Sequence, residues 1–108
     1  MKIGIDILDI KDLKKRLDRT PNLIDKLLNQ EELKSLKIKS IAGKIAAKEA
    51  IIKTGYLRAG EWLKVQIEND AKGAPFAKNN LSARINSINI SISHIKQIAI
   101  AVAVYETD

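Results

Sequence analysis

Residues 88–105 read INISISHIKQIAIAVAVY. Isoleucine alternates with asparagine or serine from Ile88 to Ser93, and large aliphatic residues alternate with alanine from Ile98 to Val104. A strict period of two marks a strand with two distinct faces. The link HIKQ is too short for a crossover connection, so the two runs form an antiparallel hairpin. Upstream, SIAGKIAAKEAIIKTG (residues 40–55) has a different period. Gly43, Ala46, Ala47 and Ala50 recur at spacings of three and four, a small-residue stripe along a helix that lets another backbone come close. Ile41, Ile45 and Ile52 lie on the opposite half, Glu49 and Lys53 stand at one edge of that half, and Lys44 and Lys48 stand at the other. Ser40 is the expected N-cap and Gly55 the expected end of this helix. Strands and a long helix in this order predict an α+β fold, an antiparallel sheet packed against the long helix.

The flanking segments extend the pattern. KIGIDILDI near the start alternates weakly, with Ile3, Ile5 and Ile7 on one side and Gly4, Asp6 and Leu8 on the other, and predicts a short strand. KDLKKRLDR (11–19) places Leu13 and Leu17 on one side and Lys14, Lys15, Arg16 and Arg19 on the others, a basic amphipathic helix with Pro21 soon after it. Asn29 followed by Glu32 predicts a capping box on a short helix. WLKVQIE, with Leu63, Val65 and Ile67 alternating, predicts a strand, and NDAKGAP (69–75) a turn-rich loop. The expected order is strand, helix, short helix, long helix and then three strands. No repeat or linker divides residues 1–108, so a single domain is expected.

The 108 residues carry 19 lysines and arginines against 13 acids, a net charge of +6, and no cysteine. A disulfide framework and a thiolate metal site are excluded. No apolar run is long enough for a membrane span and no signal peptide is apparent, so a soluble cytoplasmic protein with no membrane partner is expected. The positive charge favours an anionic partner. Tyr56, Trp62, Phe76 and Tyr105 are scattered outside the basic clusters, which argues against a base-stacking platform and hence against single-stranded nucleic acid.

Several residues carry chemistry that the fold does not require. Asp6 is an acid inside an apolar strand, costly to bury unless it reaches solvent, pairs with a lysine or binds a cation. Glu49 either makes an i,i+4 pair with Lys53, worth roughly 0.2–0.5 kcal/mol, or shares a hard cation with Asp6, with lysines nearby as phosphate clamps. The second arrangement suits phosphoryl transfer. His94, the only histidine, opens the turn after INISIS; it gains interest, with Ser91 and Ser93, if that loop faces the same cleft. The loop with Gly73 and Pro75 can let a ligand approach backbone groups, although many ordinary loops look alike. The basic helix is either a solvated face or a docking surface for an acidic helix.

GIDILDI, AGKIAAKEAIIK, IENDAKGAP and SISHIKQIAIAVAV occur in an order that resembles the holo-acyl-carrier-protein synthases, the short bacterial type of 4′-phosphopantetheinyl transferase. The resemblance runs over nearly the whole chain. It implies transfer of phosphopantetheine from coenzyme A to a serine of apo acyl-carrier protein, with release of 3′,5′-ADP and a need for Mg2+. It implies Asp6 and Glu49 as metal ligands, and Lys53 beside them in catalysis. It implies Lys48 and Lys53 around the diphosphate; Lys44, His94, Ser91 and Ser93 near the nucleotide; and Gly73 and Pro75 lining the same cleft. Lys14, Arg16 and Arg19 match the surface on which the carrier protein docks. A homotrimer with sites at the subunit boundaries is implied as well. The chain departs from the family in having Lys44-Ile45 where Arg-Phe is usual, so a point charge replaces a bidentate fork. It is also short, and TGYLRAGEW is a reduced glycine-rich segment. The rival classes are a basic nucleic-acid-binding module, which accounts for the charge but not for Asp6 with Glu49, and a structural subunit, which accounts only for the small-residue stripe.

Overall fold

The computed structural model describes residues 1–34 and 37–107. In chain order the elements are β1 (Lys2–Asp9), α1 (Ile10–Arg19), α2 (Leu23–Leu27), a 3-10 turn (Glu32–Lys34), α3 (Ile38–Thr54), a second 3-10 turn (Trp62–Lys64), β2 (Val65–Asn69), β3 (Pro75–Asn79), β4 (Ile88–Ile95) and β5 (Ile98–Tyr105). The class is α+β. β1, β5 and β4 form an antiparallel sheet in the order β1-β5-β4, and β2 and β3 form a separate antiparallel pair.

The alternation in β5 sets the packing. Ala99, Ala101 and Ala103 are fully buried, and these small side chains let α3 lie close to the sheet. The approach is tightest at β1, where a Cβ on Gly4 would lie 1.9 Å from the Ala50 carbonyl oxygen. Gly43, Ala46, Ala47 and Ala50 are all buried, as the small-residue stripe predicts. α3 is nevertheless buried nearly all round: Ile41, Ile45 and Ala42 join a second cluster with Ile10, Leu13 and Leu28 of the α1–α2 layer. Gly55 ends α3 in the left-handed conformation at φ +88°.

Four local readings are corrected. α3 begins at Ile38 and has no side-chain cap, so Ser40 lies inside its first turn. A strand forms where only a loop is expected, because Pro75–Asn79 pairs with Val65–Asn69 across the NDAKGAP turn. Trp62–Lys64 is a 3-10 turn ahead of β2, and it leaves Leu63 exposed. His94 belongs to β4, opposite Ala99, so the hairpin turn is only Lys96-Gln97, with Lys96 at φ +52° as such turns require. The Asn29–Glu32 capping box forms in both directions, at 3.0 and 3.2 Å.

Candidate active site

Pairing with β5 puts Asp6 opposite Ala101, on the strand face that meets α3. Glu49 projects from α3 into the same cavity of about 200 Å³, which Asp6, Glu49 and Arg16 share with Leu8, Leu13, Leu23, Leu27, Ile45 and Trp62. Burial pushes the Glu49 carboxyl above the usual carboxylate range; the Asp6 charge adds to this, and Lys53 and Arg16 oppose it. The i,i+4 pair with Lys53 does not form. Lys53 Nζ turns to β1 instead, donating to the Ile5 carbonyl at 2.9 Å and lying 3.4 Å from Asp6 Oδ1. Among the described residues Glu49 has no salt bridge. The pair is thus a crowded acid site with one neighbouring lysine.

Among the described residues no three His, Asp or Glu side chains converge as a ready-made metal cluster. Two carboxylates nonetheless fit magnesium, which takes one or two from protein and the rest from water and substrate phosphates. A cation there would offset both the burial and the Asp6 charge that raise Glu49.

A second cavity, of about 350 Å³, is lined by Ser40, Gly43, Lys44, Asn69, Gly73, Pro75, Ile92 and His94. Four residues expected near one cleft therefore do meet: Lys44, Gly73, Pro75 and His94. His94 Nε2 lies 2.8 Å from the Lys39 carbonyl oxygen. A Cβ on Gly43 would come within 3.0 Å of that nitrogen, so the glycine makes room for the ring. Lys44 Nζ donates to the Glu32 carbonyl at 2.9 Å; burial lowers its pKa and the Glu32 charge opposes this. Gly73 sits in a turn at φ +88°, where Asp70 Oδ1 accepts from the Lys72 and Ala74 amides. The acid cavity and the His94 cavity share no lining residue.

A family model described as the 4′-phosphopantetheinyl transferase superfamily matches residues 2–103. The holo-[acyl-carrier-protein] synthase of Pelodictyon phaeoclathratiforme is 36% identical over 118 residues, covering 98% of each chain. That of Clostridium novyi is 34% identical over 121 residues, covering 98% of this chain and 87% of the relative. Among solved structures, Helicobacter pylori holo-[acyl-carrier-protein] synthase in complex with coenzyme A superposes with a TM-score of 0.79 at 32% identity, covering 96% of this chain and 99% of that one. The Bacillus anthracis enzyme in complex with CoA (3′,5′-ADP) gives 0.78 at 29% identity, covering 99% and 96%. The chain belongs to the holo-[acyl-carrier-protein] synthases.

Within this family frame, three expectations need changing. Lys48 is fully buried and cannot meet a phosphate. Its Nζ donates to Glu32 Oε1 at 2.6 Å, to the Leu27 carbonyl at 2.8 Å and to the Trp62 carbonyl at 2.9 Å. Burial pushes the ammonium pKa down and Glu32 opposes the shift. Ser91 and Ser93 pair with Val102 and Ile100 and lie on the opposite sheet face from His94, because strand side chains alternate. Arg16 is more than a docking residue, since it also lines the acid cavity. Lys14 and Arg19 are exposed on α1 as expected, and Arg16, Arg19, Thr20 and Leu23 line a shallow surface depression beside that cavity.

Sequence reading missed Trp62, Ser40, Asn69 and Glu32. Trp62 falls in a segment read as strand, and its contribution depends on a 3-10 turn. Ser40 reads in the sequence only as a helix cap. Glu32 carries a readable signal, the capping box, which accounts for its bond to the Asn29 amide but not for the buried ion pair.

Proposed function

We propose that Asp6 and Glu49 form the acid pair at which this chain performs the reaction of its family. The chain is an enzyme that transfers the 4′-phosphopantetheine group of coenzyme A to a serine of apo acyl-carrier protein, giving holo carrier protein and 3′,5′-ADP, typically for fatty acid biosynthesis. The serine oxygen bonds to the phosphorus that bears pantetheine. The bond from that phosphorus to the bridging diphosphate oxygen breaks, its electron pair leaves with 3′,5′-ADP, and the serine proton passes to a base.

The single observation carrying the assignment is that Asp6 and Glu49 converge in one apolar-walled cavity, where burial first and the Asp6 charge second disfavour charge on Glu49. These two carboxylates would hold Mg2+, which would supply neutralising charge for the diphosphate. Lys53, held against Asp6, adds a fixed cation at the same place. Arg16 brings a guanidinium to the cavity rim. Leu8, Ile45 and Trp62 exclude water and so strengthen these interactions. Lys44, His94, Gly73 and Pro75 take the nucleotide end of coenzyme A. Lys14, Arg16 and Arg19 on α1 receive an acidic face of the carrier protein.

The two cavities come together in this reading only across a subunit boundary. The sheet face turned away from α3 carries Ile3, Ile5 and Ile7 at 63%, 55% and 65% exposure, beside Ile100 and Val102 of β5. So large an apolar surface favours self-association, and the family resemblance makes the assembly a homotrimer that completes each site with a neighbour's His94 cavity. The protein works in the cytoplasm on this reading; no described helix is long and apolar enough to cross a membrane.

Intact mass of an apo acyl-carrier protein, incubated with the protein, coenzyme A and magnesium, tests the whole. A gain of one phosphopantetheine group that disappears with a chelator is expected. Asp6→Asn and Glu49→Gln should each lower kcat/KM by about 10²–10³, the usual cost of removing one preorganised electrostatic group. Parental rates in both variants would refute the acid-pair assignment.

A further inference from the structure

Lys48 precedes Glu49 on α3, yet the two side chains have opposite fates: Glu49 reaches the cavity while Lys48 is fully buried. All three protons of the Lys48 ammonium are used, on Glu32 Oε1, the Leu27 carbonyl and the Trp62 carbonyl. Glu32 in turn accepts from the Asn29 amide at 3.0 Å and from the Ile67 amide at 2.8 Å. One ion pair therefore gathers the end of α2, the 3-10 turn before β2, and β2 itself around a point on α3. A buried pair of this kind is weak evidence for stability, because well-packed apolar residues of similar volume often serve as well. Its bonds have a specific destination, however. Leu27 and Trp62, whose carbonyls Lys48 holds, both line the cavity that contains Asp6 and Glu49, and are termed its Leu27–Trp62 wall.

We propose that Lys48 is a positioning residue: with Glu32 as counter-charge, it holds the Leu27–Trp62 wall at a set distance from Glu49 and never touches the substrate phosphates. Two adjacent residues of α3 thus divide the work, Glu49 facing the reacting groups and Lys48 fixing the surface opposite. The inference rests on the acid-pair reading for its link to the reaction, but not for its structural content.

Trp62 is the only tryptophan, so its fluorescence reports the wall directly. The double variant Lys48→Met/Glu32→Gln removes both charges at similar volume and leaves the wall carbonyls without their donor. We expect cooperative unfolding to persist. Acrylamide quenching of Trp62 should rise at least about twofold, and kcat should fall by about 10- to 100-fold, as misplacement near a reacting centre commonly costs. KM for coenzyme A should stay within about threefold, because the nucleotide end is held in the other cavity. Quenching and kcat within about twofold of the parent would overturn the proposal, and so would a loss confined to coenzyme A KM, which belongs to a phosphate clamp. If the double variant does not fold, Glu32→Gln alone leaves the buried ammonium without its counter-charge, and quenching should rise and kcat should fall together, each by at least about twofold; values closer to the parent would overturn the proposal. An inactive parent would defeat the functional reading, while the quenching comparison would still decide the role of Lys48.

Discussion

Glu49 carries a cost that its neighbours do not remove. Burial and the Asp6 charge raise its carboxyl pKa in the folded chain, whereas in the unfolded chain it titrates near the ordinary value of about 4.3. A folded pKa above the unfolded one means that the native state binds the proton more tightly. The contribution is fully present below the ordinary pKa and is lost as pH rises through the raised one. At pH 7–8 Glu49 therefore destabilises the fold, and Glu49→Gln should melt at a higher temperature than the parent, with the gap closing as pH falls below about 4. Differential scanning calorimetry between pH 4 and 8 checks this sign; a lower melting temperature for the variant at pH 7.5 would contradict it. Millimolar magnesium should raise the parent's melting temperature and leave that of Glu49→Gln nearly unchanged, since ligand binding stabilises only the state that binds. The KE dipeptide makes the two charges visible in the sequence. Which is buried and which faces the cavity is not visible there, because that depends on where α2 and the Trp62 turn lie around α3.

β1 and α3 meet backbone to backbone at Gly4 and Ala50. Gly4→Ala forces a methyl against a carbonyl oxygen that sits in a helix and cannot move alone. It should cost about 2–3 kcal/mol, the upper part of the overpacking range, and shift Asp6 two residues along; chemical denaturation measures the loss, and a change below about 0.5 kcal/mol would mean the strand gives way freely. On the proposed reading α1 has two tasks. Lys14 and Arg19 serve its exposed face, and Arg16 also reaches the acid cavity. Reversing Lys14 and Arg19 to glutamate should raise KM for the carrier protein about tenfold or more at low salt and leave coenzyme A binding intact, whereas Arg16→Glu should affect both. Equal losses of coenzyme A affinity in both variants would show that α1 is not divided in this way. Much at this scale was legible: the hairpin, the long helix, the basic helix and the capping box follow from local period and cap chemistry. β3 was not, because PFAKN has little period of its own and becomes a strand only through its pairing with β2.

Across the whole molecule, the apolar outer face of the sheet and the separation of the two cavities point to assembly. Ile5 lies opposite Val102 in the register, midway along the edge strand β1. Ile5→Lys places a charge there at little cost to a lone subunit, since the side chain is already 55% exposed. On the proposed trimer reading it should shift the sedimentation coefficient from trimer to monomer and abolish transfer in parallel. A monomeric, fully active variant would show that each subunit holds a complete site. The opening strand displays its three isoleucines plainly in the sequence, but a period of two does not say which face is covered by the chain itself.

By itself, the sequence determined the local elements whose period and end signals are strong, the α+β class, and, through the order of its motifs, the family. It also singled out Asp6 and Glu49, because an isolated acid among apolar residues is conspicuous anywhere. Only the tertiary structure decided which charges meet. Lys48 went inside to Glu32, Lys53 crossed to Asp6, Arg16 turned toward the acid cavity, and Ser91 and Ser93 were carried away from His94 by strand alternation. The physical reason is range: caps and periodicity act over a few neighbours along the chain, whereas burial and Coulomb interaction depend on distances set by every element at once.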